Sequence, residues 1–410
     1  MKKVLRNKRF QWILLAALGT AVLVLNGCSK KNNATSATEI VIGQVGSLTG
    51  TEATFGTSTR DGIELATQQI NAAGGIHGKK IRMVVLDDQG KPEEAATAVT
   101  RLITQDRVIA LLGEVASSRS LAMAPIAQAN KIPMMTPSST NPKVTQVGDY
   151  IFRVCFIDPF QGQVMATFAT QSLKLKRLAI LRDVKNDYSI GLSDFFAEYA
   201  KKQGAAIVGD QSYSNGDVDF KSQLTSLKTA NPDGIFVPGY YTEVGLIARQ
   251  ARELGIKVPL LGGDGWDSVR LTEIGGKALN NTFFSNHYAV DDSSPETQKF
   301  IRDYQAAFNV VPDGLAAMGY DAMLVLADAM KRTANLQPSE IRDALAATKD
   351  FAAATGRITI NANRDAEKAA VVLEVRDGKF IFKEKVNPGT KTTQNTQAEA
   401  IHGRIYTASH

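Results

Sequence analysis

The chain has 410 residues, 44% of them hydrophobic and 21% charged, with 47 Lys and Arg, 41 Asp and Glu and a net charge of +6. Five of those bases fall within the first nine residues (Lys2, Lys3, Arg6, Lys8, Arg9), which leaves 42 bases against 41 acids beyond them. The basic balance therefore gives no support for binding nucleic acid or an anionic surface. Only two cysteines occur, Cys28 and Cys155, so neither a disulfide framework nor a cysteine metal site is expected.

The basic start leads into an apolar run from Trp12 to Leu25, and no acid occurs before Glu39. Fourteen residues are too few to cross a bilayer as a helix, which takes about 20, and the pattern reads as a secretory signal. The junction Leu25-Asn26-Gly27-Cys28 resembles the lipobox of bacterial lipoproteins, which implies cleavage after residue 27 and a lipid on Cys28. An extracytoplasmic, membrane-anchored chain follows as the expectation, with residues 28–38 as a polar tether. The remaining 383 of the 410 residues exceed what one core usually supports, so two domains are expected.

Strands are expected at Glu39–Val45, Lys80–Asp87, Val108–Gly113 and Ile132–Thr136. Each is continuously apolar, as in parallel strands covered on both faces. A helix begins at Pro92, where Ala95, Ala98, Val99, Leu102 and Ile103 share one face. Gly74-Gly75 stops the helix before it. The rhythm restarts after Asp158-Pro159, with strands at Arg177–Arg182, Ala206–Gln211, Gly234–Val237 and Val258–Leu261 between helices near 160–173, 190–203, 218–230 and 242–255. A strand near Thr282–His287 precedes helices at about 295–308, 313–334 and 338–348. Strands at Arg357–Ile360, Ala370–Arg376 and Lys379–Lys385 close the pattern, with Asp377-Gly378 as a hairpin turn. The fold class is α/β, with two Rossmann-like lobes whose ligands bind beyond the carboxyl ends of the strands.

Phosphate loops, nucleophile elbows and the dinucleotide glycine pattern are absent from the sequence. The four histidines (His77, His287, His402, His410) have no metal-ligand spacing, so no metal, cofactor or catalytic residue is assigned. Asp87-Asp88 and Asp291-Asp292 read as turn acids that cap or face solvent. Cys155, in an apolar stretch, reads as an inert buried thiol.

Four strand-end loops carry the chemistry. Glu114 to Ser120 places serines at a helix start, where N–H groups suit a carboxylate. Thr136-Pro137-Ser138-Ser139-Thr140-Asn141-Pro142 offers three hydroxyls in a proline-fixed loop. Pro238 to Glu243 supplies Tyr240 and Tyr241. In Gly262-Gly263-Asp264-Gly265-Trp266, Asp264 is placed to accept an ammonium group.

Together with Ile42–Gly50, the segment from Ile70 to Gly78, Tyr188 and Arg249-Gln250-Ala251-Arg252, these loops resemble the leucine/isoleucine/valine-binding proteins of branched-chain amino-acid ABC importers, of the type I periplasmic-binding fold. The resemblance implies a hinge with three crossovers, lobe 1 from 39–158 and 286–368, lobe 2 from 159–285 and 369–390, and a polar tail at 391–410. It implies that Ser117, Ser138 (through its carbonyl) and Thr140 hold the α-carboxylate and part of the ammonium. Asp264 would neutralise the ammonium, Tyr188 and Tyr240 would close over the ligand, and Phe55 would cover it from lobe 1. Trp266 is expected to narrow the side-chain pocket. Cysteines that form a disulfide in some members are Gly90 and Ala116 here, and the acid is aspartate where some members have glutamate.

The implied partners are a small neutral L-amino acid, an ABC permease of the branched-chain type and a membrane reached through Cys28. The chain is expected to act as a monomer without nucleic acid. The alternatives are an importer protein for amides, ureas or aromatic acids and a ligand-sensing ectodomain.

Overall fold

The computed structural model describes residues 39–388. The signal, Cys28, the tether and the polar tail lie outside them. In chain order the elements are β1 (Glu39–Gly46), α1 (Ala53–Ala72), β2 (Lys80–Asp87), α2 (Pro92–Thr104), β3 (Ala110–Leu112), α3 (Ser117–Ala129), β4 (Met134–Thr136), α4 (Lys143–Gln146) and β5 (Ile151–Arg153). Next come α5 (Asp158–Thr167), β6 (Arg177–Asp183), α6 (Asp187–Lys202), β7 (Ala206–Tyr213), α7 (Lys221–Thr229), β8 (Gly234–Phe236), α8 (Tyr241–Glu253), β9 (Leu260–Gly262), α9 (Val269–Gly275) and β10 (Thr282–Asn286). The remainder is α10 (Pro295–Phe308), α11 (Gly314–Lys331), α12 (Pro338–Ala346), β11 (Phe351–Ala353), β12 (Gly356–Ile360), β13 (Ala366–Glu367), β14 (Ala370–Arg376) and β15 (Lys379–Val386).

Two sheets organise the chain. The first has the order β2-β1-β3-β4-β5, and the second β15-β14-β10-β9-β8-β6-β7. Pairs β1–β3, β3–β4 and β4–β5 are parallel, as are β6–β7, β6–β8, β8–β9 and β9–β10. The central strands β3, β4, β8 and β9 are buried at every residue, which is why they read as unbroken apolar runs. The chain passes between the sheets three times: after β5, after β10, and between β13 and β14. β14 and β15 form an antiparallel hairpin in which Arg376 faces Lys379. Its turn residues Asp377 and Gly378 both take positive φ, 50° and 75°, the geometry that favours Asp-Gly in two-residue hairpins.

α11 returns to the first sheet and packs on α1. The two helices approach so closely that a Cβ on Gly62 would stand 2.0 Å from the Ala316 carbonyl oxygen, and one on Gly319 2.3 Å from that of Thr59. Neither backbone can move aside alone. Gly62→Ala is expected to destabilise the protein by about 1–3 kcal/mol through overpacking, a loss that a urea unfolding midpoint would show.

Candidate functional site

The loop after β4 is shaped from below by Arg153 of β5, a residue with no exposed surface. Its guanidinium donates to the carbonyls of Ser139 and Asn141 and pairs with Asp365 at 2.7 Å. The Ser139 N–H in turn donates to the Thr136 hydroxyl oxygen at 2.9 Å. The loop is thus held through its backbone, and Ser138 is left facing the space between the sheets. Beside it, α3 begins with Ala116 as the cap position and no side chain bonded there. Ser117 Oγ accepts from the Asn141 N–H at 3.2 Å, which ties the two hydroxyl loops together.

Behind α3 lies a buried charge network. Arg119, 4% exposed, donates to Glu114 Oε2 at 2.9 Å, to Glu52 Oε2 at 3.2 Å and to the Gly90 carbonyl at 3.2 Å. Burial works against its charge, but Glu114, Tyr240, Glu52 and Asp88 outweigh that and raise its pKa. Asp87 caps the turn at Leu48 and Gln89 as expected of a turn acid. Asp88 does not face solvent: it is fully buried, bonded to the Ser47 hydroxyl, and burial and Glu114 push it up to about 7.

From the second sheet, a short 3-10 turn (Asp264–Trp266) after β9 presents Asp264. Gln161 Nε2 donates to its Oδ1 at 2.7 Å, and His287 Nε2 and Ser138 Oγ donate to its Oδ2 at 3.0 and 3.2 Å. Burial lowers the pKa of His287 against the pull of Asp264. The neutral ring with its proton on Nε2 then leaves Nδ1 without a partner. Tyr188 and Tyr240 stack with ring centroids 5.6 Å apart, and Phe55 meets Tyr240 edge-on at 5.1 Å.

These groups converge on a tight pocket, with free space of only about 10 Å³, lined by Phe55, Ser117, Ser138, Tyr188, Tyr240 and Asp264, with Val115, Gly265 and Leu315. Thr140 is buried one step behind, its hydroxyl without a well-directed hydrogen bond. Trp266 departs from expectation. Its indole turns away from the cavity, donates to the Val237 carbonyl at 2.9 Å and packs near Phe284. A Cβ on Gly262 would meet the indole ring at 2.1 Å, and one on Gly263 the Tyr188 hydroxyl at 2.3 Å. The glycines before Asp264 therefore make room for aromatic side chains.

Hydrogen bonds also join the two halves around the cavity. Ser118 Oγ donates to Asp187 Oδ2 at 2.9 Å, Thr242 Oγ1 to the Thr51 carbonyl at 2.9 Å and Asn215 Nδ2 to Glu52 Oε1 at 3.1 Å. The Gly314 N–H donates to Asp267 Oδ2 at 2.6 Å. Cys155 is fully buried, with its thiol directed at the Ser139 carbonyl and burial pushing it up to about 12. Among the described residues, no group of three or more His, Cys, Asp or Glu could hold a metal ion, and no helix is long and apolar enough to cross a membrane.

A family profile described as periplasmic binding protein matches residues 39–379. The chain belongs to that family. Periplasmic binding proteins are a solute-binding class. Among the relatives, a Leu/Ile/Val-binding protein homologue of Brucella melitensis is 30% identical over 84% of this chain and 93% of its own. The leucine-, isoleucine-, valine-, threonine- and alanine-binding protein of Pseudomonas aeruginosa is 30% identical over 80% of this chain and 88% of its own. The crystal structure of a leucine-binding protein, LivK, from Thermotoga maritima is 41% identical, covers 85% of this chain and 99% of its own, and superposes with a TM-score of 0.82. LivJ of Streptococcus pneumoniae, solved in complex with isoleucine, is 34% identical, covers 85% and 100%, and has a TM-score of 0.81. The fold agrees with the α/β reading of the strand pattern and with the type I fold that the resemblance implies. Arg153, Gln161 and His287, which build the site from behind, carry no local sequence signal.

Proposed function

We propose that this protein captures a small neutral amino acid, with leucine, isoleucine and valine foremost, and delivers it to an ABC importer of the branched-chain type. The observation that carries this reading is one carboxylate, Asp264, gathered with the hydroxyls of Ser117 and Ser138 in one pocket whose other walls are aromatic and aliphatic. A zwitterion needs an anion for its ammonium and hydroxyl and N–H donors for its carboxylate, and an apolar side chain needs the remaining walls. The carboxylate docks on the loops of Ser117 and Thr140, and closure brings Asp264, Tyr188 and Tyr240 over it. In the water-excluded cleft the charge-assisted hydrogen bonds gain strength.

Ser138, His287 and Asp264 have the composition of a hydrolytic triad without its wiring. Serine and aspartate meet the same ring nitrogen, at 3.2 and 3.0 Å, so the acid cannot orient the imidazole through its other nitrogen. Capture without bond-breaking is the reading this supports. The signal and Cys28 support export and a lipid anchor, and every residue assigned to the site comes from one chain.

Leucine is expected to raise the melting temperature of the purified protein, whereas its deaminated keto acid, which offers Asp264 no cation, is expected to leave it unchanged. Equal stabilisation by both would overturn the amino-acid reading.

A further inference from the structure

Asp158, the first residue of α5, stands where the chain passes from the first sheet to the second. It is fully buried, and no well-directed hydrogen bond reaches either carboxyl oxygen. Its N–H donates to the Thr140 carbonyl at 2.9 Å, fastening it to the hydroxyl loop. One helical turn on, Gln161 holds Asp264, while its own Oε1 has no partner. Asp158, Thr140 and Gln161 thus bring four buried oxygens without a well-directed hydrogen bond into the neighbourhood of the acid assigned to the ammonium, the Thr140 hydroxyl being the group that acts on Asp158.

The groups acting on Asp158 come from each element around it. They are the Thr140 hydroxyl from the loop after β4, Asp264 from the turn after β9, Arg153 from β5 and Tyr188 from α6. α6 also brings Gly191 against it, where an added Cβ would stand 3.4 Å from Oδ2. Burial pushes Asp158 up to about 8; Thr140 opposes this, Asp264 adds to it and Arg153 subtracts. At neutral pH the side chain is therefore the uncharged acid. A cation arriving at Asp264 cancels the repulsion from that carboxylate and adds an attraction of its own.

We propose that Asp158 is a positioning residue of the head-group end of the site, and that it gives up its proton to solvent when a ligand ammonium docks against Asp264, so that capture of an amino acid releases a proton. The proposal rests on the amino-acid reading above. Because the complex binds fewer protons than the free protein, affinity rises with pH up to the free-protein pKa near 8 and levels off beyond it.

Titration calorimetry of the full chain with leucine, near neutral pH in phosphate, HEPES and Tris, tests this. The binding heat is expected to vary with the buffer's ionisation heat, with a slope showing release of a fraction of one proton. The isosteric Asp158→Asn is expected to bind leucine with that slope near zero. A zero slope in the wild type, or an undiminished slope in Asp158→Asn, overturns the proposal while the leucine heat still upholds the amino-acid reading. Absence of binding by every neutral amino acid tried overturns both. Should the variant not fold, the wild type alone decides: leucine affinity is expected to rise several-fold between about pH 6 and about pH 8.5, and a flat or falling profile contradicts the linkage.

Discussion

Replacing Asp264 with alanine is expected to weaken leucine binding by about 2–5 kcal/mol, roughly 30-fold to several-thousand-fold in Kd. Two losses combine. The ligand ammonium would be desolvated in the closed cleft without an anion, and three donors that now converge on Asp264, from Gln161, His287 and Ser138, would lose their acceptor. Such a buried unsatisfied group costs about 1–3 kcal/mol by itself, a cost that falls on the fold. Melting of the unliganded variant reads that cost, and calorimetry with leucine reads the loss in binding. Asp264→Glu restores the charge one methylene further out and is expected to recover some of the affinity. Wild-type affinity in Asp264→Ala would remove this residue from the ammonium subsite.

The second large effect is on stability. Arg119→Ala is expected to cost about 3–5 kcal/mol, because it strands the carboxylates of Glu52 and Glu114 in the interior. Asp88, already pushed up to about 7 with Arg119 partly opposing the rise, would be driven higher still. Arg119→Met, which keeps the side chain's bulk, separates the charge effect from the cavity effect and should remain destabilised. Urea unfolding at neutral pH reads both variants, and a loss below about 1 kcal/mol would place the network among weakly coupled surface pairs.

Much of this architecture was legible because parallel strands buried on both faces leave unmistakable apolar runs, and because strand-end loops are where such sheets bind ligands. The helix Pro295–Phe308 and the strand Ala370–Arg376 fall on the residues where the pattern placed them. Strands β5, β11 and β13 did not stand out; β11 and β13 are partly exposed and lack the unbroken apolar run that marked the equally short β3, β4, β8 and β9. Within the site, the loops could be found from hydroxyls and an acid flanked by glycine. The residues that hold those loops could not: Arg153, Gln161 and His287 reach Ser139 and Asp264 from remote parts of the sequence. Trp266 shows the converse error. Two residues after Asp264 along a tight turn, it points the other way, and the void above Gly262 accepts its indole.

The hydrogen bonds at the rim, from Ser118 to Asp187 and from Thr242 to Thr51, join the two halves through residues that do not themselves line the cavity. They bias the unliganded protein toward its shut form. For a binder competent only in a fraction of its conformers, the apparent dissociation constant is the intrinsic one divided by that fraction. Each rim bond is therefore a dial on affinity that leaves selectivity among amino acids untouched. Substitutions at these lips would retune how scarce a solute this protein captures, with the pocket unaltered.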